Sequence, residues 1–515
     1  MHLKGSVRVD GGDGVVILNP TASIGVIRDR QVTVCLDSRA CHRETSENAG
    51  EEENMAKDNE AGLSASGRRS FLKTIGGVVG GTAISAESCK KVAALSGAFD
   101  AEGSSKDRRP NILLLHSHDL GRFLNCYGID SVHSPNLDRF AAEGVLLERN
   151  FATAPQCSPS RASMFTGRYP HCNGVLGLTH FPFCWDLNPN ELHLGQILKA
   201  AGYRTAGAGV LHETHSGPKR CGLDEFAPKP MATNVADATI EFLTQFSANT
   251  DRPFYIQAGT LEPHRLRGTD RTHDCGFLGT KLTPDTSAGV TVPGYLRDTP
   301  GTRTELGEIQ GAVRHVDNEM GRILDTLKRL NLEKNTLVIF TTDHGIAFPR
   351  AKCSVYEPGV EAALIMRLPT RQGWYGGVRK KEMISNVDLL PTILEVAGIP
   401  IPSNVQGRSF APLLDGRPYS ARDVLFYELT YHDYYDPQRA VRTEDHKLSV
   451  YFSSAPAFMD PSQSWRPRSD TVVPPNDALA HHFSVELYDL RRDPWEQHNV
   501  VADESYSEAL GACRS

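Results

Sequence analysis

Short apolar runs alternate with longer amphipathic patterns along the chain from residue 110 onward. The runs "NILLL", "FYIQAG" and "TLVIF" each end in polar residues, a pattern typical of strands buried on both faces of a sheet. The segments "TELGEIQGAVRHVDNEMGRILDTLKRL" and "VDLLPTILEVAG" instead carry their apolar residues at helical spacing. Strands that alternate with helices predict an α/β fold, a sandwich of helices around a large, mostly parallel or mixed central sheet. The run "VEAALIMR" predicts one more strand of that sheet.

The pattern changes after about residue 415. The pieces "DVLFYELTY", "RAVRTEDHKLSVYF" and "FSVELYDL" are β-rich and predict an antiparallel sheet. We therefore predict a large α/β domain over residues 110–415 and a smaller α+β domain over residues 416–515. Two long irregular segments, 265–300 and 453–481, are typical of functional rims.

The N-terminal part is a different kind of sequence. Residues 1–65 are too polar to bury a core, so we predict disorder there; because Met55 is a natural start, the alternative is that residues 1–54 are an extension that is not translated. Residues 66–88 contain "SGRRSFLKTIGGVVGGTAISA", which resembles a twin-arginine export signal, and residues 89–109 read as a linker. The alternative for 66–88 is a disordered basic linker. The apolar run is too short to span a membrane, so we expect an exported mature protein without a transmembrane span, in the periplasm, on the cell surface or outside the cell.

Composition and charge narrow the classes of function. The 515 residues are 39% hydrophobic and carry a net charge of -7, which indicates a soluble globular protein and argues against nonspecific nucleic-acid binding. The 11 cysteines include no CxxC pair, so a zinc ribbon or thioredoxin-like site has no support.

One cysteine, Cys157, lies in the stretch "APQCSPSRASMFTGRYPH". Ser158 is a good N-cap and Pro159 suits the first helical position, so we predict a short helix through Phe165 that stops at Gly167. The cysteine would then lie at the positive end of a helix dipole, a place suited to an anion or a polarised nucleophile. Packing, a disulfide, a metal ligand or a modified residue all remain open at this point.

Two predicted strands end in similar polar residues. "HSHD" brings His118 and Asp119, and "TTDHG" brings Asp343 and His344. Carboxylates at the C-terminal edge of one parallel sheet converge on a hard cation such as Ca²⁺ or Mg²⁺. Taken alone, each aspartate could equally be a turn or helix cap.

The stretch "CSPSRASMFTGRYP", the strand end "TTDHG", "DRPF" with "EPHR", and the C-terminal "ELYDLRRDP" together resemble the sulfatases, formylglycine-dependent members of the alkaline-phosphatase-like superfamily. The motifs are most similar to those of the heparan N-sulfatase (sulfamidase) branch. The resemblance implies a sulfuric ester or sulfamate hydrolase that acts on a sulfated carbohydrate or another sulfate ester. It also implies that Cys157 becomes Cα-formylglycine through a formylglycine-generating enzyme.

The resemblance further implies a divalent cation, with Ca²⁺ as the expected ion. Its ligands would be Asp119, Asp343, His344 and the oxygen of the modified Cys157. His118 stands where the family usually has an aspartate, so it would contribute nitrogen in place of oxygen. That exchange would weaken Ca²⁺ binding or favour another divalent metal.

The remaining roles also come from the resemblance. Besides residue 157, Arg161 would stabilise the diolate, His212 would take a proton when sulfate is eliminated, and His264 would contact substrate and protonate the leaving group. Lys352 would contact the sulfate. The lysine usually found shortly before the histidine of "GVLHE" is replaced, since Val210 stands there. Ordinary core, loop or surface positions are the alternatives for the histidines and for Lys352.

Two other functions compete with this interpretation. One is a phosphodiesterase or phosphonate monoester hydrolase of the same superfamily. The other is a catalytically silent glycan-binding homologue, which the replacements at His118 and Val210 favour.

Overall fold

The computed structural model describes residues 6–7, 32–33, 109–267, 275–279, 281–432, 434–453 and 483–514. The chain divides into two compact units, Met1–Thr82 and Ala83–Ser515. In the first unit, Ser6–Val7 pairs antiparallel with Val32–Thr33. The predicted export signal, nearly all of the linker and most of segment 453–481 lie outside the described residues. No helix in the described part of the chain is both long and apolar enough to cross a membrane.

The second unit is built on a mixed sheet of eight strands. In chain order they are β1 (Asn111–Ser117), β2 (Val145–Leu147), β3 (Arg204–Gly209), β4 (Glu225–Ala227), β5 (Phe254–Thr260), β6 (Thr336–Thr342), β7 (Leu364–Arg367) and β8 (Val378–Lys380). Their spatial order is β8-β2-β7-β6-β1-β5-β3-β4. The run from β6 to β4 is parallel, whereas β7 is antiparallel to both its neighbours. This confirms the predicted α/β fold with a mixed central sheet.

Helices cover both faces of this sheet. They are α1 (Pro135–Glu143), α2 (Cys157–Thr166), α3 (Leu194–Ala200), α4 (Ala232–Ser247), α5 (Pro300–Arg329) and α6 (Leu389–Val396). Successive residues of β1 point to opposite faces: Leu113 packs in the core with α4 and α5, and Leu114 packs in the core with α3 and α6. Because both faces are buried, the strand is apolar throughout, as its sequence indicates.

The run "VEAALIMR" forms two strands where one was predicted. Glu361–Ala362 belongs to a small three-stranded sheet with Asn150–Phe151 and Ile384–Ser385, whereas β7 joins the central sheet. The break lies at Ala363, whose amide bonds the Gly121 carbonyl and the Thr342 hydroxyl and so leaves the ladder.

A second sheet follows the main one. It consists of β9 (Leu425–Tyr431), β10 (Tyr435–Arg442), β11 (His446–Tyr451) and β12 (Val485–Asp489), paired antiparallel in that order, and a helix, α7 (Ser507–Arg514), follows it. The predicted C-terminal antiparallel sheet is therefore confirmed. Both sheets belong to the unit Ala83–Ser515, and a domain boundary at residue 415 stays a prediction.

The helix that carries Cys157 begins earlier than predicted. Its N-cap is Gln156, so Cys157 is the first helical residue. Ser158 does not cap it because its hydroxyl accepts a hydrogen bond from the Thr179 amide at 3.2 Å. The helix ends where predicted, at Gly167, whose φ of 67° is the left-handed conformation that glycine adopts without strain.

A buried carboxylate on α5 holds the start of α1, and it offers a test of the fold. Asp317 accepts bonds from the amides of Asn136 and Leu137, at 3.1 and 2.8 Å, and is fully buried. Asp317→Ala leaves these donors without an acceptor, so we expect it to lower the free energy of unfolding by about 3 kcal/mol. Asp325→Ala, on the exposed side of α5, removes one surface ion pair and should cost about 0.5 kcal/mol or less. Denaturant titration of both variants measures the difference, and equal losses would contradict the assignment.

Candidate active site

The pairing of two central strands brings the predicted metal ligands together. Ser117 at the end of β1 lies opposite Thr342 at the end of β6. The next residues therefore leave the sheet at one level, and the Asp119 amide donates to Asp343 Oδ1 at 3.0 Å. Asp119 itself has a φ of 50°, a strained conformation of the kind found at functional sites.

Four side chains meet at this edge with their ligand atoms within 4.8 Å of one another. They are His118, Asp119, Asp343 and His344, and all four are buried. His118 Nδ1 lies 2.5 Å from Asp119 Oδ1, and His344 Nε2 lies 3.2 Å from the same oxygen and 3.8 Å from Asp343 Oδ1.

The orientation of the His344 ring suits a positive charge among these atoms. Its Nδ1 donates to the Gly345 carbonyl at 2.9 Å, so Nε2 faces the carboxylates of Asp119 and Asp343 and holds either a proton or a metal ion toward them. Burial opposes protonation, but Asp343 and Asp119 raise the pKa of His344 to about 10. A proton on Nε2 or a metal ion in its place would supply positive charge beside the oxygens, so the residues present fit a bound metal ion.

Cys157 lies beside this group, in the first turn of α2. Its sulfur and the ring nitrogens of His118 and His212 are within 4.8 Å of one another. Burial would raise the pKa of the thiol, but hydrogen bonds from surrounding imidazoles hold it well below its usual range. These imidazoles belong to His118, His212, His344 and His432. Such surroundings favour the thiolate form of Cys157, unlike those of a cysteine that only fills a core.

Two cations neutralise the two carboxylates. The Arg161 guanidinium donates to Asp343 Oδ2 from Nε at 3.1 Å and lies 3.0 Å from it through Nη2. Its Nη1 lies 2.6 Å from His116 Nδ1. Lys352 Nζ donates to Asp119 Oδ2 at 2.7 Å. Both side chains are buried, so each pairing offsets a charge that would otherwise be costly to bury.

His264 completes the predicted set. Its Nε2 lies 3.7 Å from Asp119 Oδ2, and its ring centre is 4.6 Å from that of His118. Burial and Lys352 lower the pKa of His264 to about 3, against the opposing effect of Asp119. Because Nδ1 donates to the Arg265 carbonyl, Nε2 is a hydrogen-bond acceptor in this state. The acid role expected for His264 therefore requires a proton gained when substrate is bound.

The structure brings all nine predicted site residues to one place: His118, Asp119, Cys157, Arg161, His212, His264, Asp343, His344 and Lys352. Val210, which stands where the resemblance leads one to expect a lysine, is apolar and buried, so it adds no charge.

Sequence reasoning missed several residues that support this site. His432 follows β9 and reaches Cys157 from the C-terminal sheet, and His116 on β1 contacts Arg161. Glu213, next to His212, is fully buried; it accepts from Gln257 Nε2 at 2.7 Å. The only signal in the sequence was the adjacency of Glu213 to His212.

An aromatic group borders the site on the side of His212. It consists of His180, Phe181, Phe183, Trp185 and Tyr431 and is called here the aromatic wall. The His180 ring is 6.0 Å from that of His212, and the Phe183 ring is 6.0 Å from that of Tyr431. Phe181 and His180 are exposed, and the other three are half-buried.

Hydrogen bonds fix the aromatic wall to the loop that carries His212. Asp186 accepts from the His215 amide at 3.2 Å and from the hydroxyls of Thr214 and Ser216. The Thr179 hydroxyl donates to the His212 carbonyl at 2.9 Å. These bonds hold the segment that carries the wall against the loop of His212.

Comparisons with known proteins agree with this geometry. A family model described as Sulfatase matches residues 110–399, and one described as N-sulphoglucosamine sulphohydrolase, C-terminal, matches residues 346–460. The chain is 28% identical to N-sulphoglucosamine sulphohydrolase of Homo sapiens over 460 residues, which cover 80% of this chain and 90% of that protein.

Solved structures share the fold. One was determined in complex with its substrate, D-glucosamine-2-N,6-O-disulfate; its TM-score is 0.60 at 20% identity, over 79% of this chain and 96% of that one. A phosphonate monoester hydrolase from Silicibacter pomeroyi has a TM-score of 0.58 at 20% identity, over 78% and 93%. These identities show a common architecture alone. The family model, which covers more than half of the chain, goes further: the chain belongs to the sulfatase family, and it is a hydrolase of sulfate esters or sulfamates.

Proposed function

We propose that this protein is an exported, metal-dependent sulfatase that acts on sulfated carbohydrates through a formylglycine made from Cys157. The observation that carries the proposal is the position of Cys157. Its thiol is buried at the first turn of α2, among imidazoles, and adjoins a buried group of four metal-ligating side chains.

Formylglycine at position 157 and a divalent cation would each supply part of the chemistry. A hydrated formylglycine supplies two hydroxyl oxygens, one to attack sulfur and the other to release the sulfate afterwards. A divalent cation held by His118, Asp119, Asp343 and His344 supplies positive charge that polarises the sulfate and favours the ionised nucleophile. The resemblance to the family implies Ca²⁺ for this role.

The chain's own residues hold and move protons around that centre. His212 lies within reach of residue 157 and can accept the proton of its second hydroxyl. Lys352 and Arg161 bind the carboxylates that face the sulfate and fix their orientation. His264, on the far side of Asp119, faces the leaving group and would protonate its oxygen or nitrogen.

The balance of charge favours a sulfate ester over a phosphate monoester, but it does not separate sulfate esters from phosphate diesters or phosphonate monoesters, which are also monoanions. Each of the two buried cations is already paired with a carboxylate, so the protein contributes little net positive charge. A sulfate ester is a monoanion and needs less compensation than a phosphate monoester dianion. If the protein were instead a phosphodiesterase or phosphonate monoester hydrolase of the same superfamily, it would hydrolyse phosphate monoesters and diesters at least as fast as the matched sulfate esters. A silent glycan-binding homologue would bind a sulfated sugar without turnover.

The aromatic wall supports a carbohydrate as the substrate. Exposed aromatic faces fixed beside a catalytic histidine offer apolar area for stacking against the C–H face of a sugar ring. The name of the human relative and the substrate of the solved structure both contain N-sulfated glucosamine, which makes this sugar the first to test.

Export is part of the proposal. Twin-arginine transport carries folded proteins, so Cys157 could be modified in the cytoplasm by a formylglycine-generating enzyme before the protein leaves it. The supporting feature is the pattern of residues 66–88.

Modification of Cys157 can be measured directly. Coexpression with a formylglycine-generating enzyme should give a tryptic peptide in which the mass of residue 157 corresponds to formylglycine. Cys157→Ala should lower kcat by about 1,000-fold or more, because it removes the nucleophile. Cys172→Ala, at a partly exposed free cysteine, is the matched control and should keep full activity. An unmodified Cys157 together with full hydrolysis, or full activity of Cys157→Ala, would disprove the mechanism.

The role of the aromatic wall gives a separate prediction. Phe183→Ala should raise KM for N-sulfoglucosamine or glucosamine 6-sulfate roughly 5-fold with little change in kcat, since one stacking contact is worth about 1 kcal/mol. Inhibition by inorganic sulfate, which cannot stack, should not change. Phe426→Ala, at an exposed ring near the start of β9, is the control. Equal effects of the two variants would contradict the role.

A further inference from the structure

The four metal-ligating residues offer an unusual set of donor atoms. Two are carboxylates and two are imidazoles. Ca²⁺ prefers six to eight oxygen ligands, whereas imidazole nitrogen suits first-row transition ions. The question is therefore how many oxygens the site can give.

Each carboxylate has one oxygen already committed to a cation. Asp119 Oδ2 accepts from Lys352 Nζ at 2.7 Å, and Asp343 Oδ2 accepts from Arg161 Nε at 3.1 Å. Both bonds are made to the Oδ2 atom of the aspartate. Asp343 Oδ1 also accepts the amides of Asp119 and His344, at 3.0 and 2.9 Å. Bidentate carboxylate coordination, which Ca²⁺ commonly uses, would therefore compete with these hydrogen bonds at both residues.

The positions of the His118 and His344 imidazoles suit metal binding. The Gly345 carbonyl orients the buried His344 ring so that Nε2 faces Asp119 Oδ1 at 3.2 Å. A backbone carbonyl that orients a histidine is the usual support of a ligating ring. His118 Nδ1 lies on the other side of the same oxygen, at 2.5 Å.

We propose that this site selects a first-row transition ion that binds imidazole well, such as Zn²⁺, in preference to Ca²⁺. The side chains give two nitrogens and two single carboxylate oxygens, and their two negative charges are already offset by Lys352 and Arg161. Ca²⁺ binding depends on anionic oxygens. The nitrogen ligands and the neutralised carboxylates therefore both lower the affinity for Ca²⁺ more than the affinity for a transition ion. The proposal rests on the metal dependence proposed above, but not on sulfate hydrolysis.

Direct metal binding tests the selectivity without any assay of activity. The experiment uses the folded protein with Cys157→Ala, which removes the thiol as an additional soft donor. Co²⁺ is titrated while its visible d–d absorption is recorded, and Zn²⁺, Mn²⁺ and Ca²⁺ then compete for the site. We expect one Co²⁺ per chain and a Kd for Zn²⁺ roughly 100-fold or more below that for Ca²⁺, with Mn²⁺ between the two.

Exchange of the two imidazoles for oxygen ligands should lower the preference of the site for transition ions over Ca²⁺. His118→Asp with His344→Asn, made in the same Cys157→Ala protein, should lower the preference over Ca²⁺ at least about 10-fold. His344→Asn alone serves the same purpose if the double variant does not fold. The matched control is Cys221→Ala, which disrupts a second buried group of potential ligands, His193, Glu213 and Cys221, and should change neither stoichiometry nor preference.

The outcomes separate this inference from the proposed function. Tighter binding of Ca²⁺ than of Zn²⁺ and Mn²⁺, or an unchanged preference in the histidine variants, overturns the inference. Sulfate hydrolysis measured with a Ca²⁺-loaded, Ca²⁺-preferring enzyme would overturn the inference and leave the proposed function in place. A protein that prefers transition ions but hydrolyses no sulfate ester or sulfamate would overturn the proposed function alone.

Discussion

The site depends on the in-register parallel pairing of β1 and β6. Because Ser117 and Thr342 are partners, Asp119 and Asp343 leave the sheet together and their carboxylates come close in a buried space. Two such charges repel each other strongly where water is excluded. Lys352, Arg161 and the imidazoles offset this repulsion. A shift of one residue in register would leave each cation without its carboxylate partner.

The parts of this arrangement that depend on local pattern could be predicted from the sequence. Apolar runs with polar ends gave the strands and placed Asp119 and Asp343 at one edge, because parallel strands share the direction of their ends. The glycine that ends α2 was also predictable, since it alone adopts that φ without strain. The start of α2 was not, because Ser158 prefers a partner that lies 21 residues away.

The rest required distant parts of the chain to meet. His432 reaches Cys157 only because the C-terminal sheet packs beside α2, where Gln156 Nε2 donates to the Tyr431 carbonyl. His116 looks like an ordinary strand residue until Arg161 is placed beside it. Likewise, the run that contains Ala363 read as one strand, because the tertiary bonds that split it leave no periodic signal.

The burial of Cys157 implies that its modification must precede the completion of folding. The thiol is 4% exposed, and one of the groups that enclose it, His432, is synthesised long after it. A modifying enzyme that must reach this residue has access to it only until the C-terminal sheet packs in place. The yield of active protein would then depend on the rate of modification relative to the rate of folding. A variant that folds faster would be modified less completely, and its preparation would be less active even if the protein were more stable.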